Sequence, residues 1–533
     1  MPRRVTIAVG FALLLALVAV PLWLCRDQPL LGDNYDDAVY WSSARSLATG
    51  SGYRVPTLPG DPWQVKYPPL YPLYLSLAWR ADPQFPHNLP LATALQAVLL
   101  PLAAVLLLLA LRTVGCGRAK SFLLTALMLG SISFALSGVI LFSEPLFLCL
   151  FLGSIVAMER AMASPGPASR WWAIAGGILA GAAYLTRTAG LPLLVAAPLW
   201  CILRRRYDAA MRFLLMALPA GAAWHYWAAL HVKASDGGYL REYLTLIATN
   251  GFIGNLLIQL GALSAAVAGN LVSGVMNILG GTPLQHVFLI AATAGCIRLG
   301  RRRGWPLYLV VTALYIPMLV LWTYHNLDRL ILPVWPVLLA GIAEEAEHCA
   351  RLMATGIARH RPRLAPAPRW LFAAAAMVVL IWNVQAGWSE LSAVVSLRRA
   401  QRPKQLEAFS WIRSHAHSGD VLLAWKDGLS SMYTGVPASR AAFSALMPRS
   451  AEDKALGEPL SAMPPQYDRA LLLLFASDLE GADERTRLNS LKALAARVAG
   501  ARQEYASGAA LVYSVPRPVS PAGAVLRSGL TRP

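Results

Sequence analysis

Charged residues are scarce in this chain of 533 residues. Only 14% are Asp, Glu, Lys or Arg and 56% are apolar, whereas soluble domains carry roughly 25% charged residues. This excludes a disordered, collagen-like or ordinary soluble protein. Acidic residues are the scarcer sign, 28 against 47 basic, so the net charge is +19. Because the basic residues cluster between apolar runs, we expect a polytopic membrane protein that contacts membrane lipid and no nucleic acid.

Cysteine and several well-known catalytic motifs are also scarce or missing. The six cysteines lie in apolar runs or near the expected cytoplasmic side, and the C-terminal region has none. Their spacing matches neither a disulfide framework nor a metal site. The chain has no Walker loop, no GxGxxG after a strand, no GxSxG and no HExxH. Nucleotide-driven and hydrolase functions therefore lack support, and no internal repeat is visible.

The chain is instead rich in apolar runs that approach the length of about 20 residues needed to cross a bilayer. We predict about eleven transmembrane helices on this criterion. The basic clusters between them fall on the side of Arg3 and Arg4, which the positive-inside rule places in the cytoplasm. The N-terminus is therefore expected on the cytoplasmic side of the membrane. The apolar segment 252–281 is interrupted by Asn, Gln and Gly, and we interpret it as amphipathic or re-entrant on the outer side.

These runs also predict the domain organisation. Residues 1–388 should form a membrane domain with two long outer segments, 26–88 and 231–284. Residues 389–515 should form an α/β domain on the periplasmic side, and 516–533, rich in Pro, Ser and Gly, a flexible tail. The α/β prediction depends on five patterns: helical ones at Lys404–His417 and Glu484–Ala499, and strand-like ones at Val421–Trp425, Leu471–Phe475 and Ala510–Val515.

The first outer loop carries an unusual density of polar residues. Two short helices are expected in it, one from Asp36 and Asp37 to Leu47 and one at Leu73–Trp79, and such helices at a membrane face are typical of an interfacial platform. Acidic residues at a helix start stabilise its dipole by about 0.3–1 kcal/mol. That structural role does not explain Tyr40, one turn later, or Lys66 and Tyr67 nearby. These residues are therefore candidates for a site.

Three further ionisable residues lie where the membrane pattern disfavours them. Glu144 lies in a short turn between two apolar runs, and an ionisable group at membrane depth is a functional hypothesis by default. Its alternative role is to cap the helix that Pro145 opens. Arg187 and Arg329 lie on the outer side, where the charge rule makes cations rare. Interfacial anchoring or ion pairing could explain them, but exposed cations there also suit an anionic ligand such as a lipid phosphate.

Together these motifs resemble the integral-membrane GT-C glycosyltransferases, in particular bacterial relatives of protein O-mannosyltransferases and of lipid A aminoarabinose transferases. The resemblance covers about the first 350 residues and depends on the order and sidedness of its motifs. They are Asp36-Asp37-Ala38-Val39-Tyr40, Lys66-Tyr67-Pro68-Pro69-Leu70-Tyr71-Pro72, Ser143-Glu144-Pro145-Leu146-Phe147, Thr186-Arg187-Thr188-Ala189-Gly190, and Asp328-Arg329 leading into Leu332-Pro333.

The resemblance implies a GT-C-type fold and a polyprenyl-phosphate-linked sugar donor, with inversion at the anomeric carbon. It also implies a cell-envelope acceptor, which would be a lipid, a glycan or a protein. Asp36 falls where the family has its essential acid and Asp37 where a second one often follows. The expected catalytic residues are Asp36, Asp37 and Glu144; those expected to bind donor phosphate or substrate are Lys66, Tyr40, Tyr67, Arg187, His325 and Arg329.

The chemistry of glycosyl transfer agrees with these residue types. A carboxylate near the acceptor hydroxyl can act as general base, and the leaving phosphate needs fixed positive charge or a divalent metal ion. The residues leave open whether a metal is used.

Three alternatives remain: pentosyl transfer by the same fold, a transporter or flippase for lipid-linked sugars, and a non-catalytic membrane scaffold. A transporter would carry polar, broken helices at mid-membrane, often in paired halves, and neither feature is evident.

Overall fold

The computed structural model describes most of the chain, and everything below concerns the residues that it describes. These are residues 3–27, 31–32, 34–232, 244, 247–271, 282–322, 327–360, 367–441, 460, 463, 465–479, 483–498 and 500–517. The described helices, numbered here in chain order, are α1 Arg3–Leu24, α2 Tyr35–Ala48, α3 Leu70–Ala81, α4 Leu89–Thr113, α5 Arg118–Gly130, α6 Ile132–Val139, α7 Glu144–Ala163, α8 Gly166–Thr186, α9 Leu191–Leu203, α10 Tyr207–His231, α11 Phe252–Gly269, α12 Thr282–Arg303, α13 Leu307–Val320, α14 Trp335–His360, α15 Ala367–His415, α16 Asp427–Thr434 and α17 Glu484–Ala495. The strands are β1 Asp420–Ala424, β2 Ala438–Arg440, β3 Arg469–Phe475, β4 Arg502–Ala506 and β5 Ala510–Pro516.

Fewer than eleven of the described helices meet the length and hydropathy criteria for crossing a membrane. Five described helices are long and apolar enough to cross a membrane, and a bent pair would make a sixth. Three shorter apolar helices also occur, at Gly10–Leu24, Thr188–Leu203 and Leu307–Val320. The described residues therefore do not confirm eleven spans. The two predicted helices of the first outer loop are present as α2 and α3, and their position at a membrane interface stays a prediction.

Two predicted segments differ from the structure for identifiable reasons. The apolar run Ser121–Phe142, which is long enough for one of the predicted spans, is broken into α5 and α6, which bend by 62°. The break follows Gly130, and the Ser131 hydroxyl accepts a hydrogen bond from the Phe134 N–H at 3.4 Å, which starts the new helix. The segment 252–281, expected to be amphipathic or re-entrant, begins with α11, an 18-residue apolar helix; residues 272–281 lie outside the described part.

The polar residues of α11 explain why its sequence appeared interrupted. Asn255 and Gln259 are one turn apart and both are buried, so they share the face of α11 that packs inward. The Gln259 amide donates a hydrogen bond to the Trp322 carbonyl at 2.8 Å. Gln259 therefore bonds within the protein and Asn255 is buried on the same face, so these polar residues do not mark a surface helix.

Contacts between Cα atoms divide the chain into two compact units. Unit 1 comprises Met1–Asp27, Val65–Tyr71 and Thr93–Ala393, and unit 2 comprises Gln28–Gln64, Pro72–Ala92 and Val394–Pro533. Most of the first outer loop thus belongs to the unit that contains the C-terminal sheet, while Lys66 and Tyr67 belong to unit 1. The predicted end of the last span at Trp388 does not interrupt the helix, because α15 continues to His415.

Unit 2 contains a five-stranded sheet with strand order β2-β1-β3-β5-β4. The strand β1 is parallel to both β2 and β3, whereas β5 is antiparallel to β3 and β4. The strands β1, β3 and β5 confirm the three predicted ones to within two residues. They are nearly continuous apolar runs because both faces of the sheet are covered, by one core that includes Leu472 and Leu491 and another that includes Phe409 and Leu471.

The first outer loop packs on this α/β fold within unit 2. The Ala438 N–H at the edge strand β2 donates a hydrogen bond to the Thr57 carbonyl at 2.8 Å, and the Gly60 N–H donates one to the Tyr467 hydroxyl at 3.3 Å. Loop residues therefore cover the outer edge of the sheet, which is the usual protection of an edge strand.

Candidate functional site

A buried carboxylate in unit 1 is shared by two arginines from distant parts of the chain. Glu144 is 2% exposed, and its Oε1 lies 2.9 Å from Nη1 of Arg187 and 3.6 Å from Nη1 of Arg329. The Arg187 Nη1 also donates a hydrogen bond to the Ser143 hydroxyl at 2.8 Å. We call Glu144, Arg187 and Arg329 the carboxylate–arginine cluster. The cluster brings together three residues that were predicted separately from the sequence. It contains two cations and one carboxylate.

Local sequence explains how the cluster is built. Glu144 is the first residue of α7, where an acidic side chain is favoured by the helix dipole, and the following Pro145 suits the first turn of a helix. Arg187 immediately follows the end of α8 with an extended backbone, φ −151°, which turns its side chain away from the helix axis. No side-chain hydrogen bond caps the start of α7, but a favourable position in the helix dipole and ion pairing coexist at Glu144, so the structural and functional interpretations of this residue do not exclude each other.

Arg329 reaches the cluster from a loop that neighbouring helices hold in place. Its guanidinium carbon lies 4.1 Å from the centroid of the Phe142 ring, within range of a cation–π interaction. The Asn270 amide donates a hydrogen bond to the Asp328 carbonyl at 3.1 Å, and the Tyr315 hydroxyl donates one to the Leu330 carbonyl at 3.0 Å. The backbone on both sides of Arg329 is therefore fixed by buried side chains.

A buried glutamine, Gln96, fixes the backbone that precedes Glu144. Its Nε2 lies 2.8 Å from the Ser137 carbonyl and 2.7 Å from the Phe142 carbonyl. Its Oε1 accepts a hydrogen bond from the Tyr71 hydroxyl at 3.1 Å. Gln96 therefore ties the Lys66–Pro72 motif to the turn before Glu144. Gln96 was not among the residues predicted from the sequence, although an amide inside an apolar run is a signal that could have identified it.

The two aspartates of the first outer loop have different environments in unit 2. Asp37 is fully buried, and its two carboxylate oxygens accept hydrogen bonds from the Gly32 and Ala38 N–H groups at 2.8 and 2.7 Å. Asp36 is only half-buried at the start of α2. Asp37 therefore stabilises the turn that leads into α2, while Asp36 is the more accessible carboxylate. Both catalytic assignments stay predictions.

The other predicted binding residues belong to different units. Lys66 and Tyr67 are half-buried in the Val65–Tyr71 segment of unit 1, and Tyr40 is buried in α2 of unit 2. His325 lies outside the described residues. The roles expected for these four residues stay predictions.

The described residues do not provide a set of ligands for a metal ion. In the described ranges, no group of three or more His, Cys, Asp or Glu side chains could hold one. The carboxylate–arginine cluster is unsuited to a cation, because its two guanidinium groups would repel it. In place of a metal ion, this cluster can therefore supply fixed positive charge from its arginine side chains.

Comparisons with known proteins bear on the fold. No protein-family model matches the chain, and no curated protein sequence matches it. The crystal structure of ArnT from Cupriavidus metallidurans bound to undecaprenyl phosphate matches with a TM-score of 0.55 at 12% identity, over 96% of this chain and 98% of that chain. The archaeal oligosaccharyltransferase AglB from Archaeoglobus fulgidus, in complex with an inhibitory peptide and a dolichol-phosphate, matches with a TM-score of 0.53 at 10% identity, over 95% and 74%.

These similarities extend over nearly the whole chain and confirm the predicted GT-C-type fold. With the apolar helices of unit 1, they also identify the chain as a multi-pass membrane protein. At 10–12% identity they carry no information about individual side chains.

Proposed function

We propose that this chain with a GT-C-type fold is a glycosyltransferase that moves one sugar from a polyprenyl-phosphate donor to a cell-envelope acceptor. The observation that carries the proposal is the carboxylate–arginine cluster, in which two arginines converge on one buried carboxylate. Arginine is the side chain best suited to bidentate recognition of phosphate. The matching ArnT and AglB structures hold undecaprenyl phosphate and dolichol-phosphate, which supports a lipid phosphate as the ligand.

In this mechanism the acceptor hydroxyl attacks the anomeric carbon of the donor from the side opposite the phosphate, so the configuration inverts. Asp36 takes the hydroxyl proton as general base. The bond between the anomeric carbon and the phosphate oxygen breaks, and its electron pair leaves with the prenyl phosphate. Arg187, Arg329 and Lys66 stabilise the charge that develops on that phosphate.

Glu144 and Asp37 support the reaction through other groups. Glu144 keeps two guanidinium groups close together, which would otherwise repel each other. Asp37 accepts two backbone N–H groups and so orients the helix start that carries Asp36. We assign both of them as positioning residues. We assign the protein to the bacterial inner membrane, with its cytoplasmic N-terminus and its C-terminal domain on opposite sides.

The experiment that tests this proposal is a transfer assay with purified full-length protein. A panel of polyprenyl-phosphate sugars is offered together with an envelope extract, and mass spectrometry follows the lipid and glycan products. We expect one donor to lose its sugar to a product of the other anomeric configuration. If no donor is consumed but a labelled donor crosses the bilayer of reconstituted vesicles, the transporter alternative replaces the enzyme. If neither occurs, the scaffold alternative gains support.

A further inference from the structure

The sheet of unit 2 contains a topological switch point. From β1 the chain passes through α16 to β2 on one side, and it then returns to β3 on the other side of β1. The strand β1 is parallel to both of these neighbours. In open α/β sheets, ligands bind outside the carboxyl ends of the strands at such a point, because the two connections diverge there and leave a crevice. The sheet thus indicates a binding crevice after β1 and β3.

The residues that follow these two strands are charged. Lys426 comes two residues after the end of β1, and Asp478 comes three residues after the end of β3. One Asp478 oxygen accepts a hydrogen bond from the Phe475 N–H at 2.9 Å. Neither side chain has a role in the mechanism proposed above.

Two arginines of α15 add positive charge to the same place. Arg398 and Arg402 are four residues apart, so they lie on one face of the helix. Burial lowers the pKa of Lys426 to about 8, and the positive charges of Arg398 and Arg402 contribute to the lowering, while Asp478 and Asp37 oppose it. Arg398 and Arg402 therefore lie close enough to Lys426 to repel its charge, and Asp478 and Asp37 are carboxylates that attract it. We call Arg398, Arg402 and Lys426 the switch-point cluster.

Arg402 gives the clearest sign that this cluster is incomplete. Its guanidinium carbon lies 5.4 Å from the centroid of the Tyr433 ring in α16. Its Nη1 is buried and has no hydrogen-bond acceptor among the described residues. A buried N–H group without an acceptor is costly, and such groups in native proteins usually bond to an ordered water or ion. An anion would both pair with this nitrogen and relieve the repulsion.

We propose that Arg398, Arg402 and Lys426 bind a phosphate ester carried by the acceptor, an inference that rests on the proposed function. Guanidinium groups match the oxygens of a phosphate with paired hydrogen bonds. The acceptor is favoured over the donor because Lys426 directly precedes α16, whose Gly428 lies against Ala38 of α2, the helix whose first turn carries the proposed base Asp36. The acceptor is therefore a phosphorylated compound, and its phosphate belongs either to a lipid or to a glycan.

Binding measurements on the full-length protein test this site and separate the two sources. In one arm, calorimetry follows glucose 1-phosphate, with glucose as the neutral control, in phosphate-free buffer. In the other arm, native mass spectrometry compares phosphatidic acid with phosphatidylcholine. Both arms use an Arg187→Gln background, so that binding at the carboxylate–arginine cluster does not contribute. Binding in the first arm alone indicates a glycan phosphate, and binding in the second alone a lipid phosphate.

Variants of the switch-point cluster and a matched control complete the test. Arg402→Gln and Lys426→Gln should each weaken phosphate binding by about tenfold, the loss typical of one charge-assisted hydrogen bond. The control Arg399→Gln removes an exposed arginine of the same helix and should leave binding unchanged. Absence of binding in both arms, or equal binding by the cluster variants and the control, overturns the inference.

A stability measurement distinguishes a ligand site from a structural cluster. Without ligand, Arg402→Gln removes a repelling charge, so its unfolding temperature should equal or exceed that of the parent protein. A lower unfolding temperature together with unchanged phosphate binding would assign the arginine a structural role. These results also separate this inference from the proposed function. If the protein binds phosphate but transfers no sugar, the phosphate site is supported and the proposed enzymatic activity is refuted. If the protein transfers sugar but Arg402→Gln binds phosphate as the parent does, only the phosphate site is refuted.

Discussion

Gly428 in α16 lies directly against Ala38 in α2, and a methyl group added at Gly428 would lie 2.5 Å from the Ala38 Cβ. A second close approach lies beside it, since a methyl group at Gly32 would lie 2.4 Å from the Leu429 Cβ. The turn that carries Asp36 and Asp37 is therefore held by a helix about 390 residues further along the chain. Within unit 2, the position of the proposed general base depends on the C-terminal domain.

Gly428→Ala should therefore destabilise unit 2 and reduce transfer together. Overpacking of this kind costs about 1–3 kcal/mol, and the new methyl group would push α2 away from α16. Gly508→Ala is the matched control, because nothing lies within 4 Å of a methyl group there. Chemical unfolding and the transfer assay measure the two effects. If Gly428→Ala behaves like the control, the close contact has no consequence for the site.

Substitution of the two adjacent aspartates should separate catalysis from stability. Asp36→Asn should reduce transfer by about 100- to 10,000-fold, the usual contribution of a general base, with stability unchanged. Asp37→Asn should lower the free energy of unfolding by about 1–3 kcal/mol, because it disturbs two hydrogen bonds to a buried carboxylate. Turnover at saturating substrate and chemical unfolding are measured for both variants. Full activity of Asp36→Asn would remove its assignment as the base.

Glu144→Gln should destabilise unit 1 and weaken donor binding. It leaves Arg187 and Arg329 close together without a counter-charge, and breaking a buried ion pair costs about 3–5 kcal/mol. The matched control is Glu345→Gln, which breaks a more exposed pair with Arg298 at 3.2 Å and should cost much less. Thermal unfolding and the donor KM are the measurements. An unchanged donor KM in Glu144→Gln would contradict the positioning role.

Gln96→Leu should raise the donor KM without changing any residue proposed to touch the donor. The substitution leaves the Ser137 and Phe142 carbonyls without their donor, at a cost of about 1–3 kcal/mol for each unsatisfied group. The backbone before Glu144 would loosen as a result. Gln385→Leu is the control, because Gln385 is exposed on a helix of the same unit. A normal donor KM in Gln96→Leu would confine Gln96 to a structural role.

Asp427 and Asp420 of unit 2 should change the stability of the protein in opposite directions as the pH rises. Burial raises the pKa of Asp427 to about 6, although the Gly428 N–H and Arg440 act in the other direction. Since its pKa rises on folding, Asp427 favours the folded state at low pH and costs stability as the pH increases towards 6. Asp427→Asn should therefore raise the free energy of unfolding, relative to the parent protein, more at pH 7 than at pH 4. Chemical unfolding of both proteins at both pH values measures this difference.

Asp420 provides the contrasting case. Burial tends to raise its pKa, but the hydrogen bonds from Arg469 at 2.8 and 2.6 Å, the His417 N–H and the positive charge of Arg469 together outweigh burial, so the pKa is lowered. Its stabilising effect is therefore present above the pKa of the unfolded chain and is lost as the pH falls through the lowered value. Asp420→Asn should destabilise the protein at pH 7 and make little difference in strong acid. The same sign for both variants would refute this account.

The α/β part of the fold was largely predictable from local pattern. Unbroken apolar runs such as Leu471–Phe475 can satisfy their side chains only inside a covered sheet, so β3 and its neighbours were correctly expected. The short strands β2 and β4 were missed, because three to five residues with mixed polarity carry little periodicity. Hydropathy also did not reveal the bend after Gly130 that separates α5 from α6.

The sequence by itself determined the class of protein and the candidates Glu144, Arg187 and Arg329, because a charge beside an apolar run is conspicuous wherever it lies. Only the tertiary structure decided that these three residues meet at one carboxylate oxygen, that Gln96 fixes the turn before them, and that Gly428 holds the Asp36 turn. Such relationships depend on contacts between residues tens to hundreds of positions apart. Local periodicity and charge patterns carry no information about those contacts, which arise when apolar surfaces pack and buried polar groups find partners.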